Sequence, residues 1–219
     1  MQDQTLPADQ RAVAQNAVRA MRSRIDQLGD DAIDLILRDA RSHYAWTDRP
    51  VSNDLLKTLF EITIQGPTSM NTCPARFVFV TSDAGKERLA KSLKPKNVEK
   101  MRGAPVTAII AWDPLYWQQL DFLFPHEDRK PFFAGKEEYA EETAFRNSTL
   151  QGGYFMIAAR ALGLDVGAMS GFSNDIVDAE FFSENGWRSN FLCNIGYADE
   201  TALFQKLPRF AFDDICEIM

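Results

Sequence analysis

The sequence is poor in the residues that form disulfides or bind transition metals. It contains three cysteines, Cys73, Cys193 and Cys216, and two histidines, His43 and His126. The odd cysteine count and the absence of CxxC spacing argue against a disulfide framework or a zinc site. We therefore expect no bound metal, and a reducing compartment suits the chain best.

Long apolar runs and an excess of positive charge are missing too. No apolar stretch reaches the ~20 residues of a membrane helix, and residues 1–9 lack the apolar core of a signal peptide. The net charge of -7 disfavours unspecific binding to nucleic acid, although a few arginines and lysines could still hold an anionic cofactor. We expect a single-core cytoplasmic protein that contacts neither membranes nor nucleic acid.

Common catalytic fingerprints do not occur in the sequence. There is no GxSxG, no P-loop, and no GxGxxG after either early strand. Cys73, in the loop PTSMNTCP, could act as a nucleophile, but nothing in the sequence indicates a histidine partner for it. A packing role for Cys73 is the favoured interpretation.

Residues 1–28 form a segment of their own, before the domain predicted over 29–219. Between Asp9 and Leu28, apolar residues recur at helical spacing, at Val13, Ala17 and Met21 and then Ile25. This pattern predicts an amphipathic helical extension. It either docks onto a partner subunit or frays in solution.

The order of elements after residue 29 predicts an α+β fold. Helices are expected over 29–44, 52–65, 84–93, 141–163 and 174–182, with Ser52 and Asn174 as the N-caps of the second and the last. A helical turn is expected over 98–102, and strands over 77–80, 106–112, 165–172 (with a tight loop) and 191–197. Strands and helices do not alternate regularly, which excludes a doubly wound sheet. Residues 114–139 form a long aromatic excursion, either a lid or interface element or a cover for the core.

Two glycines interrupt the strongest helix. Gly152 and Gly153 cost ~2 kcal/mol against two alanines. Such a cost is tolerable where a second backbone must approach closely, so we interpret the helix as the centre of a dimer. The alternative is a kink, which the continuing apolar periodicity disfavours.

Two isolated basic positions could bind an anion. Arg41, Ser42 and His43 end the first predicted helix of the domain, where positive charge favours the helix dipole; the same three side chains could also grip a phosphate. Arg209, in LPRF, is either a second phosphate ligand or a snorkelling surface residue.

Several motifs in a fixed order resemble those of a known family. These are ARSHYAW, GPTSMNTCPARFVFV, NVEKMRGAPV, ETAFRNSTLQGGYFMIAARALGLD, GAMSGF and NFLCNIGY. From about residue 30 to the last residue, the chain resembles the nitroreductase flavoproteins. Within them it looks most like the malonic semialdehyde reductases that form 3-hydroxypropanoate in pyrimidine breakdown.

The resemblance implies a three-layer α+β sandwich with a central mixed sheet flanked by helices. It also implies an intertwined homodimer with exchange of the C-terminal arms and FMN at the subunit interface. NADH or NADPH would be the co-substrate and a small electrophile the acceptor, in a ping-pong hydride transfer carried by FMN without a catalytic protein acid or base. The implied FMN-binding residues are Arg41, Ser42, His43, Pro67, Thr68, Ser69, Asn71, Asn97, Lys100, Ser170, Gly171 and Arg209, with 67–71 reached from the other subunit.

Physical chemistry supports this set. Two arginines can neutralise a phosphate near the dianion, and Lys100 can stabilise the negative charge of reduced flavin. The backbone at Ser170 and Gly171 can approach the ring closely. Without the family match, Asn97 and Lys100 would be interpreted as an exposed helix face.

The chain departs from the family at two positions, and the substrate stays open. Ser170 stands where many relatives have Glu, and Ala75 stands where many have an aromatic residue. Arg76 and Arg146 are candidate ligands for a substrate carboxylate. A broad nitro- or quinone reductase and a non-catalytic flavin-binding module are the competing interpretations.

Overall fold

The computed structural model describes residues 8–219. Its helices are α1 (Ala8–Arg22), α2 (Asp30–Ile33), α3 (Asn53–Thr63), α4 (Asp83–Ala90), α5 (Pro95–Gly103), α6 (Leu120–Leu123), α7 (Glu137–Ala161), α8 (Asn174–Phe181) and α9 (Phe212–Ile215). Its strands are β1 (Ala75–Val80), β2 (Val106–Trp112), β3 (Asp165–Met169) and β4 (Arg188–Gly196). The α+β class is confirmed.

The strands form one sheet in the order β1-β2-β4-β3. Every neighbouring pair is antiparallel, so the predicted mixed sheet is wrong for the described part of a single chain. Its parallel component is a bridge between Ser42 and Val166 at the β3 edge. Two parallel neighbours would require a crossover connection that returns the chain to the same end of the sheet. Strand β4 instead lies between β2 and β3 and runs antiparallel to both.

Helices cover both faces of the sheet, as the three-layer prediction requires. On one face, α3 and α7 pack against Val106, Ala108 and Ile110 of β2. On the other face, α4, α5 and α8 pack against Ile109 and Ala111. Alternate residues of β2 therefore point to opposite cores, which explains why this strand is apolar except for Thr107 and is buried at all seven positions.

Helix ends follow local chemistry, with one correction. The Ser52 side chain accepts a hydrogen bond from the Leu55 amide, as its predicted role as N-cap of α3 requires. Asn174 was expected to cap α8, but Ser173 is the N-cap residue. The Asn174 amide donates to Ser189 at the start of β4, so it ties α8 to the sheet.

Other boundaries also differ from expectation, three of them by several residues. Helix α1 ends at Arg22 rather than near Leu28, and residues 1–7 of the predicted extension lie outside the described residues. Helix α7 begins four residues early, at Glu137. A π-helical stretch, Asp34–Arg38, follows α2, so Arg41, Ser42 and His43 do not close a helix. The dipole explanation for their charge is therefore wrong.

No helix in the described part of the chain has the length and apolar character needed to cross a bilayer.

Candidate functional site

Residues 41–43 run along the open edge of β3. The His43 amide donates to the Val166 carbonyl at 2.9 Å, and Ser42 bridges to the same residue. A Cβ on Gly167 would lie 2.2 Å from the His43 carbonyl oxygen, so only glycine permits this approach. The sheet edge thus fixes the backbone from which Arg41 and His43 project.

Positive charge accumulates at this edge. The Arg160 guanidinium, from α7, donates to the carbonyls of Ile36 and Arg41 at 3.1 and 3.4 Å. Burial, reinforced by Arg41 and Arg160, lowers the pKa of His43 despite its contact with Asp165 at 3.2 Å. Its Nδ1 atom is buried and has no hydrogen-bond partner among the described residues. With Nε2 bonded to Asp165 and the pKa lowered, Nδ1 of the neutral ring is an acceptor, so the groups at this edge that are suited to an anion are the two guanidinium groups.

Asn97 and the Ser170–Gly171 loop meet where β3 ends. The Asn97 side-chain amide donates to the Gly171 carbonyl at 3.1 Å, and the Lys94 amide donates to the same oxygen at 3.3 Å. A Cβ on Gly171 would lie 2.6 Å from Asn97 Nδ2. The Ser170 side chain is exposed. The structure therefore brings together these predicted residues from α5 and from the loop after β3.

Lys100 lies one turn further along α5. Its Nζ is 5.2 Å from the ring centroid of Tyr44, the residue after His43. Tyr44 and Lys100 line a cleft of 510 Å³. The segment 41–44, Asn97, Lys100 and Gly171 thus form one strip, which we call the β3-edge strip.

The loop Pro67–Asn71 is built by strained backbone and by contacts with α7. Met70 and Asn71 have positive φ angles of 49° and 51°. The Ser69 amide donates to Asn147 Oδ1 at 2.8 Å, and the Tyr154 hydroxyl donates to the Pro67 carbonyl at 3.0 Å. Asn71 Nδ2 donates to the Leu123 carbonyl at 2.8 Å, which anchors the loop to the aromatic excursion.

The β3-edge strip and this loop lie at opposite edges of the sheet. The loop leads into β1, and the strip lies on β3, three strand spacings away. The loop also contacts α7 on one face, whereas Asn97 and Lys100 belong to α5 on the other. Strand geometry places Ser42 and Ala75 on the order of 20–25 Å apart. One chain therefore does not assemble the predicted residues into one site.

Arg209 lies apart from both groups. Its guanidinium donates to the carbonyls of Leu207 and Pro208 in its own segment. The segment leaves the body next to the strip, where Arg41 donates to the Phe204 carbonyl. Beyond that contact Leu207 and Phe210 are about three-quarters exposed.

The two arginines considered for a substrate carboxylate have different environments. Arg76 is paired with Asp113 at 2.7 Å and donates to the carbonyls of Cys73, Pro74 and Ala75. Arg146 pairs with Glu142 on the exposed side of α7 and lines a cleft of 660 Å³ together with Ser69. Arg76 is thus committed to structure, whereas Arg146 faces a cavity beside the Pro67–Asn71 loop.

Sequence reasoning missed four residues that support the site. They are Asn147, Arg160, Asp165 and Gly167. The first two lie in helix α7, which carries many other polar side chains, so no sequence signal distinguished them. Asp165 and Gly167 become meaningful only once β3 is known to receive residues 41–43. Cys193 is buried, which raises the pKa of its thiol to about 12 and leaves it inert.

The chain matches the model of the nitroreductase family over residues 37–197, and it belongs to this family. A protein of Polynucleobacter asymbioticus described as an NADH dehydrogenase/NAD(P)H nitroreductase is 49% identical over 192 residues, covering 88% of this chain and 98% of that protein. A Burkholderia lata protein of the same description is 51% identical over 191 residues, covering 87% and 98%.

Solved structures show the same fold. A nitroreductase of Exiguobacterium sibiricum in complex with FMN has a TM-score of 0.76 at 22% identity, covering 88% of this chain and 99% of that one. A nitroreductase of Bacillus subtilis has a TM-score of 0.77 at 19% identity, covering 84% and 97%. Family membership confirms the predicted enzyme class, an NAD(P)H oxidoreductase, and the predicted cofactor, FMN.

The residues present fit FMN. Arg41 and Arg160 supply two guanidinium groups at the edge where residues 41–43 run along β3, which suits a phosphate. Gly171 has no side chain, which lets the Asn97 amide pack directly on its backbone and places this polar pair at the end of β3, where it could contact the polar edge of a flavin ring.

Proposed function

We propose that this protein works as a homodimer that binds FMN between the β3-edge strip of one chain and the Pro67–Asn71 loop of the other. The observation that carries the proposal is the placement of these two groups at opposite edges of one sheet. A second copy supplies the missing half in each case, and twofold symmetry then yields two equal sites.

The dimer would also cover apolar surface that a single chain leaves exposed. Phe145, Leu150 and Ile157 of α7 are 52%, 44% and 37% exposed. Among the described residues, no atom beyond the adjacent helix backbone lies within 4 Å of a Cβ placed on Gly153. Gly152, by contrast, points inward, because its Cβ would lie 2.5 Å from the Phe191 ring. Of the two glycines in the predicted dimer helix, Gly153 is the one available for contact with a partner.

Each half has a distinct task. When bound, FMN accepts a hydride from NADH or NADPH and passes it to an electrophile. Arg41, Ser42 and His43 would hold the phosphate, with Arg209 as a further cation supplied by the C-terminal arm. Asn97 and the Gly171 backbone would orient the ring, and Lys100 would favour its reduced, negatively charged form. Thr68, Ser69 and Asn71 of the partner would cover the opposite face.

We further propose malonic semialdehyde as the acceptor, reduced to 3-hydroxypropanoate. Arg146 supports this choice, since its guanidinium borders the cleft beside Ser69 and could bind a small carboxylate. We expect Arg146→Ala to raise KM for malonic semialdehyde roughly tenfold or more while leaving the kinetics with a neutral quinone unchanged. An equal effect on both substrates would contradict this role.

The competing function is a broad nitro- or quinone reductase, which the descriptions of the relatives favour. The ratio of kcat/KM for malonic semialdehyde to that for a nitroaromatic separates the two. We expect a ratio far above one; a ratio below one favours the broad reductase. A non-catalytic flavoprotein would consume no NAD(P)H with any acceptor.

A further inference from the structure

Helix α1 is unpartnered within the described part of one chain. All side chains from Gln10 to Asp30 are exposed, with Val13 at 69% and Val18 at 58%. The side-chain bonds of α1 are local: Arg19 donates to Asn16, and Arg22 donates to the Asp26 carbonyl. An isolated helix of 15 residues is marginal in water, so α1 requires a surface against which to pack.

The surface that α1 offers is apolar and basic. Val13, Ala17 and Met21 follow one another at i, i+4 spacing, and Val18 widens the stripe. Arg11 lies seven residues before Val18 and Arg22 lies four residues after it, so both are on the same helix face as Val18. They therefore flank the apolar stripe. Between residues 10 and 28 there are four arginines and one acidic residue.

The last ten residues, 210–219, offer the complement, and we call them the C-terminal segment. Its exposed apolar side chains are Phe210, Phe212, Ile215 and Ile218, at 75%, 57%, 67% and 86%. Its charged residues are Asp213, Asp214 and Glu217, and it has no lysine or arginine. Helix α1 and the C-terminal segment thus both expose apolar side chains, and their net charges have opposite signs.

We propose that α1 of each protomer docks on the C-terminal segment of its partner. In one chain both elements are exposed, and no hydrogen bond or ion pair joins them among the described residues, so each is available to a second copy. Apolar contact provides the attraction, while the carboxylates set the orientation against Arg11 and Arg22. The inference rests on the dimer proposed above, in which the arms cross between subunits.

Cys216 provides a native reporter, since it is an exposed free thiol within the segment. The test variant is Ala17→Cys, on the stripe, and its matched control is Ala12→Cys, on the far side of the helix. Mild oxidation of holoprotein should give a disulfide-linked dimer on a non-reducing gel for Ala17→Cys at several times the yield for Ala12→Cys, and Cys216→Ser should abolish it.

Charge exchange tests the orientation. Arg11→Glu with Arg22→Glu should lower the crosslinking yield of the Ala17→Cys protein, and adding Asp213→Lys with Asp214→Lys should restore it. Equal yields from both cysteine positions, a disulfide within one chain, or a helix that binds anionic phospholipid vesicles instead would each overturn the docking proposal. Light scattering separates the two proposals: a dimer without the crosslink contradicts only the docking, whereas a monomer contradicts the shared site.

Discussion

At the scale of single residues, the site is defined by where positive charge is held. Arg41 and Arg160 lie together beside His43 because backbone carbonyls, rather than carboxylates, accept their hydrogen bonds. Neither guanidinium forms an ion pair with a carboxylate among the described residues, although Asp165 lies near Arg160, so an anion can use their charge. This feature distinguishes Arg41 from the many surface arginines that are already paired with acids.

Arg41→Ala should lower FMN affinity roughly 10- to 100-fold, the cost of losing one charge-assisted contact. Arg38→Ala is the matched control. Arg38 is half-exposed and paired with Asp34 at 3.0 Å, so its loss should leave FMN affinity unchanged. Titration of the apoprotein with FMN, followed by flavin fluorescence, measures both constants. Equal losses in the two variants would exclude Arg41 from the phosphate site.

The lowered pKa of His43 predicts a specific pH dependence of stability. In the unfolded chain this imidazole takes up a proton near pH 6.5, but in the folded apoprotein it does so only at lower pH. Between those values the unfolded state binds more protons, so the free energy of unfolding falls as pH drops below about 6.5. Above about pH 6.5 the imidazole is neutral in both the folded and the unfolded state, so this effect costs no stability there.

Denaturant melts of the apoprotein and of His43→Gln between pH 5 and pH 8 isolate this effect. The stability difference between the two proteins should change in favour of His43→Gln as the pH is lowered. A difference that stays constant across the range would show that His43 does not titrate differently in the folded state.

At the scale of elements, the sequence predicts what local periodicity encodes. The Ser52 cap, the apolar run of β2 and the long helix are all present because caps, strand alternation and helical stripes are local properties. The antiparallel course of β4 between β2 and β3 depends on pairing across the chain, so the sequence could not reveal it. The same holds for residues 41–43, whose edge position requires β3.

The two glycines of α7 also have surroundings that the sequence could not predict. Their sequence predicts a close approach, but not that Gly152 faces Phe191 inside the chain while Gly153 faces outward. Changes at Gly152 therefore disturb the fold itself. Gly153 is the position that tests the dimer.

Gly153→Ala should change stability in opposite directions, depending on whether Gly153 faces solvent or packs against the backbone of a partner chain. In an open position, alanine should stabilise the helix by up to ~1 kcal/mol. Against a partner backbone, the added methyl should instead destabilise the dimer, and Gly153→Leu should release both monomers and FMN. Light scattering with flavin absorbance measures both outcomes. A stable monomer that retains FMN would contradict the shared site.

At the scale of the whole molecule, each chain of the proposed dimer contributes one half to each of two sites. The family motifs predict which residues bind FMN, since residue types and order carry that information, and this assignment stays a prediction. Their distribution between two edges and two faces of the sheet became visible only in the fold. The acceptor depends on side chains around one cleft, and sequence patterns shared across a family of oxidoreductases do not specify it.

Subunit complementation tests the shared site most directly. Arg41→Ala damages the β3-edge strip, and Ser69→Trp blocks the Pro67–Asn71 loop with a bulky side chain. Each variant alone should bind little FMN. When the two are unfolded together and refolded as a mixture, random pairing gives heterodimers with one intact site each, and the flavin bleached by NADPH should recover to roughly a quarter of the wild-type amount. If the mixture recovers nothing beyond the two variants alone, the site is contained within one chain and the account is wrong.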